Sequence, residues 1–251
     1  MNPIVPVNVS SIYLVAGQRA PLPTRMARCA TDMKHAIFRL IDAVAVKEGQ
    51  FVLSDLFRSY DMQLQAHLDF TSHKKASFSP PPGGSMHEAG RAFDVDLKSL
   101  KMPLSAFWKL AATQGIVPIN PKPDPAASEA WHFECRGSHQ LVYDYYAAGN
   151  GSNFDSSYKA MAASAIAAVG IQVDKFADHG DAAYVQSALI RLGKVVGNLD
   201  GDIGPKTRSA LVALGVTSEA IQDQITALDV LLQKKFPDEF FDKTPDPGII
   251  Q

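Results

Sequence analysis

Ser85-Met86-His87-Glu88-Ala89-Gly90-Arg91-Ala92-Phe93-Asp94-Val95-Asp96-Leu97 is the stretch on which the reading of this chain turns. It leaves a loop, residues 71–84, that carries three consecutive prolines and two glycines. Beyond Arg91 the residues alternate. Phe93, Val95 and Leu97 take one side, and Ala92, Asp94 and Asp96 the other, which is the period of a β-strand. A second stretch, Glu129-Ala130-Trp131-His132-Phe133-Glu134-Cys135, alternates in the same way. Trp131 and Phe133 share one side, which favours the core for Trp131 over a substrate wall, while His132 and Glu134 share the other. If the two strands pair, His87, Asp94 and His132 converge on one point.

A catalytic zinc site needs about three protein ligands and an open position for water. The chain has seven histidines, and a lone histidine on a strand is more often structural than a ligand. Two imidazoles and one carboxylate together leave a bound zinc ion with net positive charge, which lowers the pKa of its water. Glu129 lies three residues before His132 and is placed to take a proton from that water as general base. Asp96 shares the face of Asp94 and is its rival as ligand. Glu134 shares the face of His132, where an orienting carboxylate and a solvated one both fit.

Taken together these residues resemble a known family. Ser85 to Asp94 resembles the SxHxxGxAxD motif of the LAS family of zinc peptidases, a group that includes lysostaphin-type enzymes, VanY-like D-Ala-D-Ala carboxypeptidases and Hedgehog-like proteins. Glu129-Ala130-Trp131-His132 resembles its second motif, ExxH, and Phe57-Arg58-Ser59-Tyr60 with Gln63 resembles its upstream YRS…Q segment. The resemblance implies metal ligands His87, Asp94 and His132 for one catalytic Zn2+, Glu129 as base, and Arg58 as stabiliser of the substrate carbonyl and oxyanion. A guanidinium suits that task because it stays charged and offers several donors. The resemblance also implies a substrate-binding wall from Ser85, Gln63 and Ser59. Gly90 allows a close backbone approach between His87 and the strand.

Outward from these motifs, Met26, Ala30, Met33, Ile37, Leu40, Ile41 and Val44 form one apolar stripe. That stripe predicts a helix over 24–47, with Thr24 as N-cap and Gly49 as stop. Residues 51–57 read as a strand, 60–70 as a short helix, 104–114 as a helix ending at Gly115, and 118–125 as a loop. After Tyr146 the composition changes. Residues 147–153, AAGNGSN, read as a flexible boundary, and the Ala-rich run 160–171 reads as a linker or packing helix.

From about residue 178 a separate unit follows. Asp200-Gly201-Asp202-Ile203-Gly204-Pro205-Lys206-Thr207 resembles the DGxxGpxT string of the peptidoglycan-binding domain 1 family, with Leu189, Leu192, Leu199, Ile203, Leu211 and Leu214 as a small three-helix core. The further oxygen ligands and twelfth-position glutamate of a calcium loop are missing, so this turn is not read as an EF-hand. The expected class is therefore α+β: a LAS/Hedgehog-like antiparallel sheet with flanking helices (residues 1–148), a linker (149–177), and a small all-α domain (178–251).

Of the 251 residues 46% are apolar and 20% charged, with net charge −2. Nothing in that balance calls for nucleic acid or an anionic membrane. No run reaches the roughly 18 apolar residues of a membrane span, and the N-terminus does not read as a signal peptide. The two cysteines, Cys29 and Cys135, are too few for a disulfide framework, although a single bridge is open. The expectation is a monomeric peptidoglycan peptidase acting at the bacterial cell wall, reached by phage-type release or non-classical export. D-Ala-D-Ala cleavage is slightly favoured by the EAWHFE form. The alternatives are an L-Ala-D-Glu endopeptidase acting as a phage endolysin, and a non-catalytic zinc-containing protein that binds the wall.

Overall fold

Strands β5 (Leu53–Asp55), β6 (Ala92–Val95) and β8 (His132–Cys135) form the centre of the sheet on which the motifs lie. A computed structural model describes residues 1–243 of the chain, so the end of the expected C-terminal unit, 244–251, lies outside the described residues. The remaining strands are β1 (Ile4–Pro6), β2 (Ser10–Val15), β3 (Gln18–Pro21), β4 (Arg28–Ala30) and β7 (Ile116–Pro118). A six-stranded sheet runs in the order β3-β2-β5-β6-β8-β7, and β1 pairs with β4 in a separate ribbon. The sheet is antiparallel except between β2 and β5, which run parallel. It is therefore mixed rather than purely antiparallel.

Helices α1 (Thr31–Ala45), α2 (Tyr60–Thr71) and α3 (Leu104–Ala112) belong to this half of the chain. α1 begins seven residues later than the apolar stripe predicts. Residues 28–30 are drawn instead into β4, whose partners are Ile4, Val5 and Pro6. The strand pairing satisfies backbone groups that a longer helix would have satisfied internally, so Thr24 caps nothing. The hairpin β2–β3 had no counterpart in the sequence reading. Ala16 and Gly17 both take positive φ at its tip, the conformation of a tight two-residue hairpin turn.

The second half is helical: α4 (Gln140–Ala147), α5 (Ser157–Ala168), α6 (Gly180–Arg191), α7 (Pro205–Val212) and α8 (Ile221–Lys235), with short 3-10 turns at Gly137–His139, Asp174–His179 and Pro237–Glu239. α5 is the Ala-rich segment. It is no exposed linker: every residue from Ala160 to Ala168 is buried. A helix that is apolar all round belongs in a core, and its alanines let α4 and α6 approach closely. The boundary 147–153 is likewise pinned. Tyr146 donates its hydroxyl to Asn153, Asn153 donates to the Leu199 carbonyl, and the Ser152 amide donates to Asn198. Leu189, Leu199 and Leu211 are buried as expected, with Leu192, Ile203 and Leu214 packed beside them.

This helical core also takes in Met86, Ala89 and Ala92 from the motif stretch. A second core lies between the sheet and α1 and α3, around Met33, Ile37, Phe93, Phe107 and Phe133. β6 is therefore buried on both faces. A cluster of buried charges ties the two halves together. Arg91 and Arg191, both 0% exposed, meet Glu239 at 3.3 and 2.7 Å, and Arg91 also meets Asp32 at 2.8 Å. Cys29 and Cys135 are separate buried thiols. No helix among the described residues is long and apolar enough to cross a membrane.

Candidate metal centre

Antiparallel pairing of β6 with β8 puts Asp94 directly opposite His132, and pairing with β5 puts Asp55 beside Asp94. His87 comes from the turn that precedes β6. Gly90 closes that turn at φ 62°, where a Cβ would lie 2.9 Å from the Cα of Cys29. Only glycine meets both the backbone sign and the close approach. His87, Asp94 and His132 thus come together, their ligand atoms within 4.8 Å of one another and all three residues buried. The two imidazole rings sit 5.0 Å apart at 70°.

Each ring has its second nitrogen spoken for. Nδ1 of His87 lies 2.6 Å from the Leu56 carbonyl, which accepts only, so Nδ1 donates there and Nε2 is the nitrogen turned into the site. That Nε2 is buried without a hydrogen-bond partner, 3.3 Å from Asp94 Oδ1. His132 turns Nε2 toward Glu134 at 3.4 Å and Nδ1 toward Asp94 Oδ1 at 3.0 Å. Nε2 of His87, Nδ1 of His132 and the Asp94 carboxylate therefore face one another. Burial works to lower the pKa of His132, but its hydrogen bonds to Asp94 and Glu134 outweigh that and push it up to about 10. For Asp94, burial raises the pKa, while the charge of His87 and the hydrogen bonds of both histidines hold it well below the usual range. The pocket demands positive charge at this point, and an N,N,O donor set with outer partners already in place fits zinc.

Asp96, the rival ligand, is turned away. It accepts from the Ser99 hydroxyl and lies 3.7 Å from Arg19. Glu129 is not on a strand. It sits in a turn at φ 61°, closed by the His132 amide donating to its carbonyl. Positive φ in a non-glycine residue is strained. Its Oε1 is buried without a partner. Burial first, and then the charge of Asp94, raises its pKa above the ordinary carboxyl value. Because the strand begins only at His132, alternation does not reach Trp131, which lines the cleft rather than the core.

Arg58 donates Nε to Asp55 at 2.6 Å and Nη1 to Gln63 at 3.2 Å, and its Nη2 lies 3.6 Å from Asp94 Oδ2. Burial would lower its pKa, but the charges of Asp55 and Asp94 outweigh that and raise it. Gln63 is fully buried; it accepts from Arg58 and donates to Ser79 and to the Pro80 carbonyl. It joins Arg58 to the proline loop. The Ser59 hydroxyl caps α2 by accepting from the Met62 amide. The Ser85 hydroxyl accepts from the His87 amide.

Two residues of the site carried no readable signal. Glu88 is fully buried and accepts from the Gly83 and Ser85 amides, which fastens the loop to the turn that holds His87. Tyr158, from α5, donates its hydroxyl to Glu134 Oε1 at 2.6 Å. The centre opens into a cleft of about 880 Å³. One wall is the proline loop with Trp131; the other comes from the second half of the chain, with Phe154, Tyr158 and Lys175.

No protein-family model and no curated protein matches the chain. Among solved structures, the LD-carboxypeptidase LdcB, whose structure concerns peptidoglycan recognition, is similar at 19% identity and a TM-score of 0.41, over 53% of this chain and 69% of that one. A mutant of the vancomycin-resistance D,D-pentapeptidase VanY, from a VanB-type cassette and in complex with Zn(II), is similar at 17% identity and a TM-score of 0.35, over 51% of this chain and 78% of that one. Likeness at this level says nothing of chemistry. The α+β class rests on the chain's own sheet and helices.

Proposed function

We propose that the chain is a zinc-dependent peptidase that hydrolyses the stem peptides of peptidoglycan. The observation that carries this reading is the convergence of His87, Asp94 and His132 within 4.8 Å, with Nε2 of His87 buried and unpartnered. The substrate class rests on the motifs that resemble the LAS family, and so does the preference for D-Ala-D-Ala over L-Ala-D-Glu.

Zinc held by these three residues supplies a Lewis acid and an acidified water. Glu129, unpartnered and with a raised pKa, takes a proton from the attacking water and returns it to the leaving amine. Arg58 keeps its charge and directs guanidinium N–H groups toward the developing oxyanion. Asp55 and Gln63 hold that guanidinium in place. No covalent enzyme intermediate is needed. The helices after residue 178, with their Asp200–Thr207 turn, hold the protein to the wall. In that turn Gln186 accepts from the amides of Asp200 and Gly201 and donates to Asp200, so the motif's acid shapes the loop.

Mass spectrometry of muropeptides after digestion of purified sacculi tests the reading. Loss of a terminal D-Ala or cleavage at L-Ala-D-Glu identifies the bond. Unchanged muropeptides from a zinc-loaded protein would leave only the wall-binding alternative.

A further inference from the structure

Glu134 is where the second half of the chain reaches the metal centre. Its carboxylate is 0% exposed and is held from three sides. His132 Nε2 lies 3.4 Å from Oε1, Arg136 donates Nε to Oε2 at 2.9 Å, and Tyr158 donates to Oε1 at 2.6 Å. His132 and Arg136 are neighbours of Glu134 in sequence. Tyr158 comes from the first turn of α5, a segment that the sequence reads as linker.

The hydroxyl of Tyr158 arrives already placed. Ser156 caps α5 by accepting from the Lys159 amide. Just before it, the Phe154 ring packs edge-on against Tyr146 and Phe176 at 5.6 and 6.3 Å between centroids. The next residues of the helix, from Ala160 on, lie in the buried core.

On the zinc reading above, we propose that Tyr158 is a positioning residue for the metal centre: its hydroxyl holds Glu134 against His132, so that the helical half of the chain sets the orientation of a ligating imidazole. The physical reason is a competition for one carboxylate. The Arg136 guanidinium is a fork that can engage both oxygens of Glu134. The Tyr158 O–H keeps Oε1 on the His132 side, where it accepts from Nε2–H. That bond selects the tautomer whose bare Nδ1 faces Asp94 and the cation. Without the hydroxyl, Glu134 turns into the Arg136 fork and the imidazole loses its fixed direction.

Tyr158→Phe removes the hydroxyl and keeps the ring. Competition with a chelator is expected to show zinc affinity falling about 10-fold, the lower end of what outer partners of metal ligands supply. The visible spectrum of the Co(II)-substituted protein shifts as well, while the urea midpoint of the metal-free protein stays close to that of the parent. A merely structural tyrosine would lower the midpoint and leave the zinc dissociation constant and the cobalt spectrum unchanged, which overturns the proposal. Should Tyr158→Phe not fold, Glu134→Gln probes the same link from its other end, with the same weakening expected and an unchanged constant overturning it. A parent protein that binds no zinc sinks the metal reading itself, whereas a zinc-binding parent with an indifferent Tyr158→Phe sinks this inference alone.

Discussion

At the residue scale the proposed function separates the three residues that would hold a cation, His87, Asp94 and His132, from Glu129, which would move a proton. Glu129 touches none of the ligands by hydrogen bond, yet Asp94, His132 and His87 all act on its charge. Glu129→Ala should therefore keep zinc stoichiometric by metal analysis and lower turnover about 100- to 10,000-fold, the usual worth of a positioned base. His87→Ala removes the buried, unpartnered Nε2 and should lose both metal and turnover. Retained turnover in Glu129→Ala would remove it as the base. Arg58→Ala should lower kcat about 100- to 1000-fold, as loss of an oxyanion donor does, with zinc content unchanged. The convergence of His87, Asp94 and His132, with Glu129 beside them, was legible in sequence because their spacing resembles a motif. Trp131 was legible only as a choice between cleft wall and core, and alternation favoured the core because it was extended past the point where β8 begins.

At the scale of elements, α5 shows what composition alone leaves open. An Ala-rich stretch between two units reads as a tether or as a packing helix, since alanine is both weakly apolar and small. Here small size is the property in use, because it lets α4 and α6 lie close against a fully buried α5. Interiors packed to that density tolerate little added volume. Ala165→Leu should destabilise the fold by about 1–3 kcal/mol through overpacking, read as a lower urea midpoint with an unchanged slope. A midpoint equal to that of the parent would mean that α5 sits against free space. The start of α1 was misread for a related reason. Its apolar stripe runs on into residues 28–30, and only the long-range partner β1 decides that those residues pair as a strand.

At the scale of the whole molecule, the two halves share buried charges as well as apolar surface. Burial would raise the pKa of Glu239, but the charges of Arg91 and Arg191, with Ser138 donating to it, pull it down to about 2. The folded value lies below the ordinary one of about 4.3. The stabilisation is therefore complete above about pH 4.3 and is lost as the pH falls toward 2. Urea midpoints measured across that window should fall steeply for the parent and less steeply for Glu239→Gln; equal slopes would show that Glu239 is not the group that titrates. Glu239→Ala at neutral pH should cost about 3–5 kcal/mol, since it leaves buried arginines uncompensated. Because Met86 and Ala92 lie in the same core as Leu189 and Leu228, calorimetry should show one unfolding transition. Two separated transitions would mean that the halves fold independently.

Local signals alone pointed to the α+β class, to most of the loop at 71–84, to a strand within 92–97, and to the three residues that converge, His87, Asp94 and His132, with Glu129 beside them. Each of these depends on residues close in the chain: a period of two, a proline run, a motif a few residues long. The tertiary structure decided what depends on distant partners. Pairing with β8 and β5 set Asp94 opposite His132 and beside Asp55, and burial between α4 and α6 made the Ala-rich run a packing helix rather than a linker. Contact with α5 made Glu134 an oriented acceptor instead of a solvated charge. A sequence records which groups are available, but the energy of a buried charge or a packed alanine is set by neighbours that only folding brings near.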